Sequence, residues 1–190
     1  MIEFRGAGPA EFIERLDTVI DIYTAAMNPP RDQITGRKTI MRNHGTYPHF
    51  QCYFAELRDI SPATGRPEPR IVGFAYGFRG APGQWWHDVV SRALTERLGQ
   101  QAADAWLGYA FELAEIHVHP DHQGKGVGRA MIRTLCAGRG ERSAVLSTHD
   151  QPTAARHLYA SMGFTDLLTK FVFPGGYENY AIAGRPLPLT

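Results

Sequence analysis

Apolar residues recur along this chain at two spacings, and the way the spacings alternate lays out an α/β order of elements. Ile2 to Arg5 suggests a first strand. From Pro9 onward, Phe12, Leu16, Val19, Ile20, Tyr23 and Met27 fall three and four apart, which is one face of a helix, and Asn28-Pro29-Pro30 ends it. Ile34, Ile40 and Met41 mark a second helical stretch. His49 to Leu57 and Arg70 to Phe78 read as strands of a hairpin, joined by a connector from Ser61 to Pro67. From Gly83 to Gly108 the pattern is helical again: Trp86, Val89, Val90, Ala93, Leu94, Leu98, Ala102 and Trp106 keep the spacing, and Gly99 supplies a break. This insertion is longer than a hairpin turn.

The second half follows a simpler order. An apolar strand at 110 to 118 runs through a proline turn and three alternating glycines into a helix at 127 to 137. A strand at 143 to 148 then runs through a polar break into a helix from about Pro152 to Met162, with Pro near its start and Gly163 just past its end. Leu167 to Phe173 and Tyr177 to Ala183 read as two strands around Pro174-Gly175-Gly176, and the tail from Arg185 looks irregular. No repeat or low-complexity tract interrupts this order.

The chemistry concentrates between Glu115 and Arg129. Val127, Ala130, Met131, Thr134 and Leu135 share one face of the helix after the glycines, with Arg129 and Arg133 on another. The first turn of such a helix leaves backbone N–H groups unpaired. Glycines at 124, 126 and 128 remove the side chains that would keep an anion away, and they permit the dihedrals a phosphate-wrapping turn needs. A helix dipole contributes about 0.3 to 1 kcal/mol, whereas each charge-assisted hydrogen bond is worth roughly 1.5 to 3 kcal/mol. Several amides together therefore outweigh the dipole and Lys125.

The spacing narrows the ligand. A nucleoside-triphosphate loop needs Ser or Thr after Gly-Lys, and Gly126 follows Gly124-Lys125 here. A dinucleotide fingerprint needs Gly or Ala at 129 or 131, where Arg129 and Met131 stand. What fits is Gln123-x-x-Gly126-x-Gly128 after Ile116-His117-Val118 and Pro120, which closely resembles the pyrophosphate loop of the GCN5-related N-acetyltransferase (GNAT) family. Leu158-Tyr159-x-x-x-Gly163-Phe164 resembles the end of that family's fourth helix, at the expected distance downstream. One departure stands out. Where relatives often carry an asparagine seven residues before the tyrosine, this chain has Pro152, with Gln151 and Thr153 as neighbouring substitutes.

The resemblance implies a single N-acetyltransferase domain over 1–190 with a helical insertion at about 83–108. Its fold would be a mixed α/β acyl-CoA N-acyltransferase fold, with a mostly antiparallel sheet, flanking helices, and the strands at 110 to 118 and 143 to 148 as parallel neighbours that splay apart. Acetyl-CoA would enter that gap as cosubstrate. Its diphosphate would lie on Gln123, Gly124, Lys125, Gly126, Val127, Gly128 and Arg129, and its pantetheine amides would pair with backbone at Ile116, His117 and Val118, as an added strand would.

The same resemblance implies direct transfer of acetyl to a primary amine of a small molecule, peptide or protein. A lysine-like amine is mostly protonated at neutral pH, a cost of about 4.6 kcal/mol, so a base should help. Glu112 and Glu115 lie on the strand leading to the glycines and point to opposite faces, so at most one meets the acceptor directly. Glu112 is favoured slightly, because family members place a glutamate near there. By resemblance Tyr159 is the general acid for the departing thiolate, and a backbone N–H near Val118 polarises the thioester carbonyl. His117 remains a proton-relay candidate. The alternative reading is a non-catalytic module that senses acyl-CoA in the same pocket.

Composition agrees with this reading without demanding it. The 190 residues suit one domain, and 20 basic against 19 acidic residues give a net charge of +1, so no overall field points to nucleic acid or an anionic membrane. The basic cluster Arg37-Lys38 to Arg42 reads as a solvated helix face. Cys52 and Cys136 show neither a CxxC motif nor a disulfide framework. No leader opens the chain and no apolar run spans a bilayer, so a cytoplasmic location is the default. His117, His119, Asp121 and His122 overlap the phosphate turn, which argues against a metal there, and none is expected. Dimers are common in the family, so a homodimer enters by analogy. The acceptor itself is named by no motif. Residues 28 to 45 and 80 to 108 would shape its site.

Overall fold

A computed structural model describes residues 1–60, 65 and 67–189; the connector predicted at Ser61 to Pro67 falls largely outside them. The described chain is mixed α/β with seven strands, mostly antiparallel, and one parallel pair. It divides into two compact units, residues 1–78 with 115–135 and residues 79–114 with 136–190.

The first unit holds β1 (Ile2–Ala7), α1 (Pro9–Glu14), α2 (Leu16–Met27), α3 (Arg31–His44), β2 (Gln51–Ile60), most of β3 (Pro67–Arg79), the end of β4 (Ala110–Val118) and nearly all of α6 (Val127–Cys136). The strands run in the order β1-β2-β3-β4, with antiparallel registers from β1 to β3. The single helix expected from Pro9 to Met27 is two. Arg15 turns to φ −92°, ψ 9° and separates the two, while Phe12, Leu16 and Val19 still share one buried face. Asn28 closes α2 in the left-handed conformation, a role that its side chain tolerates. Phe12, Phe54, Phe74, Tyr76, Met41 and Met131 are fully or almost fully buried and form the core of this unit. β3 and β4 approach closely: the His119 amide donates to the Val72 carbonyl at 2.8 Å, and a Cβ on Gly73 would meet the His117 carbonyl at 3.1 Å.

The second unit begins with the helical insertion, α4 (Trp85–Leu98) and α5 (Gln100–Leu107), broken as predicted at Gly99, whose φ is 90°. It continues with the first half of β4, then β5 (Ser143–His149), α7 (Ala154–Ser161), β6 (Thr165–Phe171) and β7 (Tyr180–Pro186), with strand order β4-β5-β7-β6. Ala110–Glu112 pair in parallel with Ser143–Val145, and that register is three residues long. β7 starts and ends three residues later than expected. It runs on through Arg185 and Pro186 because β5 offers a partner all the way, Ser143 lying opposite Pro186.

Val90, Leu94, Leu107, Val145, Leu168, Phe171 and Ile182 form the core of this unit, with Trp86 and Trp106 packed against it. Trp86 is a core residue with a polar handle, its indole N–H donating to Ser147 Oγ at 3.1 Å. Trp106 lies against β7 only because residue 184 is glycine: a Cβ there would meet Trp106 Cε3 at 2.8 Å and Cζ3 at 2.9 Å. Gly184→Ala is therefore expected to destabilise the protein by about 1 to 3 kcal/mol in denaturant unfolding, through overpacking against the half-buried indole. A variant as stable as the parent would show that the indole moves aside freely.

Candidate active site

The end of β4 feeds a single 3-10 turn, Pro120–His122, and then the glycine loop and α6. Proline stops the strand, and His119 caps the turn by accepting from the Asp121 amide at 3.4 Å. Two side chains brace the loop. Gln123 Nε2 donates to the Val118 carbonyl at 2.9 Å, tying the loop back to the strand, and Lys125 Nζ donates to the Asp121 carbonyl at 2.7 Å. Both residues were candidate ligand contacts, and in this structure their side chains shape the loop.

Gly124 and Gly126 adopt φ of 71° and 80°, conformations that L side chains seldom take, and nothing lies within 4 Å of where a Cβ would stand on either. The consequence concerns the main chain. The Ala130 amide closes the first helical bond onto Gly126 O at 3.0 Å, whereas among the described residues the amides of Gly124, Lys125, Gly126, Val127 and Gly128 donate to no protein acceptor. A row of such donors at the head of a ten-residue helix suits an anion with several oxygens.

Next to this loop, within the same unit, the structure assembles a buried ionic network that the sequence reveals only in part. Glu115 Oε2 lies 2.6 Å from His117 Nε2, and Glu115 Oε1 accepts from the Arg37 guanidinium at 3.0 Å. The Glu115 and His117 side chains are only 9% and 10% exposed, so the Glu115 carboxylate would not persist there without partners. Arg37 lies over the Tyr23 ring at 5.4 Å, and Tyr23 meets His117 edge-on at 5.2 Å. Arg37 thus corrects the reading of 37–42 as a solvated face. Lys38 does pair with exposed Asp17, but Arg37 turns inward. The signal was available: Arg37, Met41 and His44 are spaced i, i+4, i+7 on α3, and Met41 is fully buried.

Burial pushes the Glu115 carboxyl up, but the His117 hydrogen bond and the Arg37 guanidinium outweigh it and hold it below the usual carboxylate range. Burial also drives His44 down to about 4 despite Glu115, so it is neutral at pH 7, with Nδ1 3.0 Å from the Tyr76 hydroxyl.

Glu112 and Tyr159 belong to the second unit. Glu112 sits on the fully buried stretch of β4 and is 4% exposed. Tyr159 lies on α7, its ring edge-on to Phe164 at 5.9 Å. Thr153, a substitute considered for the missing asparagine, caps α7 by accepting from the Arg156 amide at 3.2 Å. Cys52 and Cys136 are buried free thiols that burial pushes up, Cys136 to about 12, so neither is a ready thiolate. No group of three or more His, Cys, Asp or Glu among the described residues is arranged to hold a metal ion.

A mixed α/β chain in which a strand of the parallel pair leads into a glycine turn with unpaired amides and then a helix resembles acyltransferases, and comparison with known proteins agrees. Residues 68–166 match the acetyltransferase (GNAT) domain family. The chain is 34% identical to a GCN5-like protein acetyltransferase of Mycobacterium tuberculosis over 197 aligned residues, covering 95% of this chain and 96% of the relative. Two solved structures share the fold. The ribosomal-protein-S18-alanine N-acetyltransferase of Escherichia coli superposes with a TM-score of 0.63 at 19% identity, covering 100% of this chain and 96% of that one. The yncA protein of Salmonella typhimurium, solved with its cofactor acetyl-CoA, gives 0.61 at 19% identity and covers 99% and 95%. The chain belongs to the GNAT family and is an N-acetyltransferase of that type.

The network makes a pH prediction. Because the folded pKa of His44 lies below its ordinary 6.5, the unfolded chain binds the proton better. The resulting stability is present above pH 6.5 and is lost as pH falls from there towards 4, by roughly 2 to 3 kcal/mol. Glu115 adds to the loss in the same direction, below the ordinary carboxylate range. Urea unfolding at a series of pH values should show this slope, and His44→Gln should flatten the part between 6.5 and 4.5. Identical slopes in parent and variant would rule out His44 as the source.

Proposed function

We propose that this enzyme transfers an acetyl group from acetyl-CoA to a primary amine by direct attack, without an acyl-enzyme intermediate. The observation that carries the reading is the row of main-chain amides at 124–128, which suits the diphosphate of coenzyme A. The pantetheine arm then pairs with the backbone of Ile116 to Val118, in the manner of an added strand. The yncA protein, with its acetyl-CoA, supports the choice of cosubstrate. The buried, protonated thiols favour direct attack over transfer through cysteine. Unbridged, they also suit a reducing cytoplasm, where we place the enzyme.

In this reading the amine nitrogen attacks the thioester carbonyl, an N–H near Val118 receives the developing oxyanion, and Tyr159 gives its proton to the departing thiolate. Either Glu112 or Glu115 assists removal of the amine proton, directly or through a neighbour. The relative named as a protein acetyltransferase, alignable over nearly this whole chain, favours an amine on a protein as acceptor.

Acetyl-CoA at a hundredfold excess over its dissociation constant should stabilise the fold by about 2.7 kcal/mol. An amine and peptide panel should then yield turnover, and Tyr159→Phe should lower kcat by roughly 10²- to 10⁴-fold with acetyl-CoA affinity retained, the range expected for loss of a general acid. Binding with no turnover on any amine would favour a sensor of acyl-CoA. No binding at all would sink both readings.

A further inference from the structure

Resting on that transfer reaction, we propose that His117, rather than either glutamate, takes the proton from the acceptor amine, and that Glu115 and Arg37 are the positioning residues that prepare it. Donors and acceptors decide the matter. Glu115 has both oxygens engaged, one by the Arg37 guanidinium at 3.0 Å and one by His117 Nε2 at 2.6 Å. A carboxylate so held accepts only, so Nε2 must carry the hydrogen that joins them. In the neutral ring the bare lone pair then belongs to Nδ1. Nδ1 makes no hydrogen bond among the described residues. The ring is thus held in the one tautomer that can accept a proton at Nδ1, and an anion waits behind it to stabilise the imidazolium that results.

The surroundings supply the rest. α2 presents Tyr23, edge-on to the imidazole at 5.2 Å, and β3 presents Phe74 at 5.4 Å, so aromatic rings pack against the imidazole from two elements. α3 presents Arg37, which holds Glu115, and His44, which is hydrogen-bonded to Tyr76 of β3. Glu115 cannot serve as the direct base without giving up one of its two hydrogen-bond partners, Arg37 or His117. His117 gives up nothing.

As the amine nitrogen bonds to the thioester carbonyl carbon, its proton moves to His117 Nδ1. The C–S bond breaks, and the thiolate takes the proton of the Tyr159 hydroxyl. Solvent then removes the proton from His117 and restores one to Tyr159, leaving an amide and the free thiol of coenzyme A.

Two measurements on the intact chain test this. The first is NMR of ¹⁵N-histidine-labelled protein, which reads the tautomer whether or not an acceptor is in hand. His117 should show a protonated Nε2 and a bare Nδ1, and a proton on Nδ1 overturns the proposal. The second uses the amine that the panel identifies. His117→Ala should lose roughly 10²- to 10⁴-fold in kcat, hold its acetyl-CoA affinity within about twofold, lose the acidic limb of the kcat/KM pH profile, and recover activity with added imidazole. Glu115→Gln should shift that limb, with Glu115→Asp partly restoring it. A His117→Ala enzyme with parental kcat and an unchanged limb overturns the proposal while leaving the transfer reading intact. An acetyl-CoA titration that shows no binding by the parent protein strikes at that reading instead.

Discussion

Five consecutive amides at the head of α6, which find no acceptor among the described residues, set the terms for the rest of this molecule. Gly124, Lys125 and Gly126 are exposed, so their N–H groups face water or an anion rather than a protein acceptor. Making the row requires two residues in the left-handed region, Gly124 and Gly126, and a strand that ends on cue at Pro120. It also requires bracing, which Gln123 and Lys125 provide by fastening the loop to the carbonyls of Val118 and Asp121. The side chains of the loop therefore serve its shape, and its main chain is left for the ligand.

Strand β4 then acts as a ruler. Its end carries the loop, its alternation puts Glu115 and His117 on one face, and the helices of the same unit bring Arg37 and Tyr23 to that face. A buried carboxylate stays ionised at such a place only because an arginine and a histidine both point at it. The same arrangement fixes the hydrogen on one nitrogen of His117. Electrostatics and tautomer are thus set by packing.

Much of this was legible in the sequence because it is local. The glycine spacing, the proline turn, the helical period of α6 and the break at Gly99 depend on residues close in the chain, where dihedral preference and periodicity decide. The break at Arg15 was not legible, since Phe12, Leu16 and Val19 keep one helical face across it. The extension of β7 through Pro186 was hidden for a different reason: it depends on β5, remote in the chain, offering a partner. Arg37 was misread because charge beside Lys38 suggests solvent, while the residue it meets, Glu115, is 78 positions distant. Local chemistry marked the loop, and only tertiary pairing showed which groups stand behind His117.

The most direct measurement tracks the backbone amides of Gly124 to Gly128 by ¹⁵N NMR during titration with coenzyme A and, separately, with S-acetylpantetheine, which lacks the diphosphate. If these amides hold the diphosphate, all five resonances move on adding coenzyme A and remain in place with the truncated thioester. Movement with both ligands, or none with coenzyme A while resonances elsewhere respond, would contradict the account.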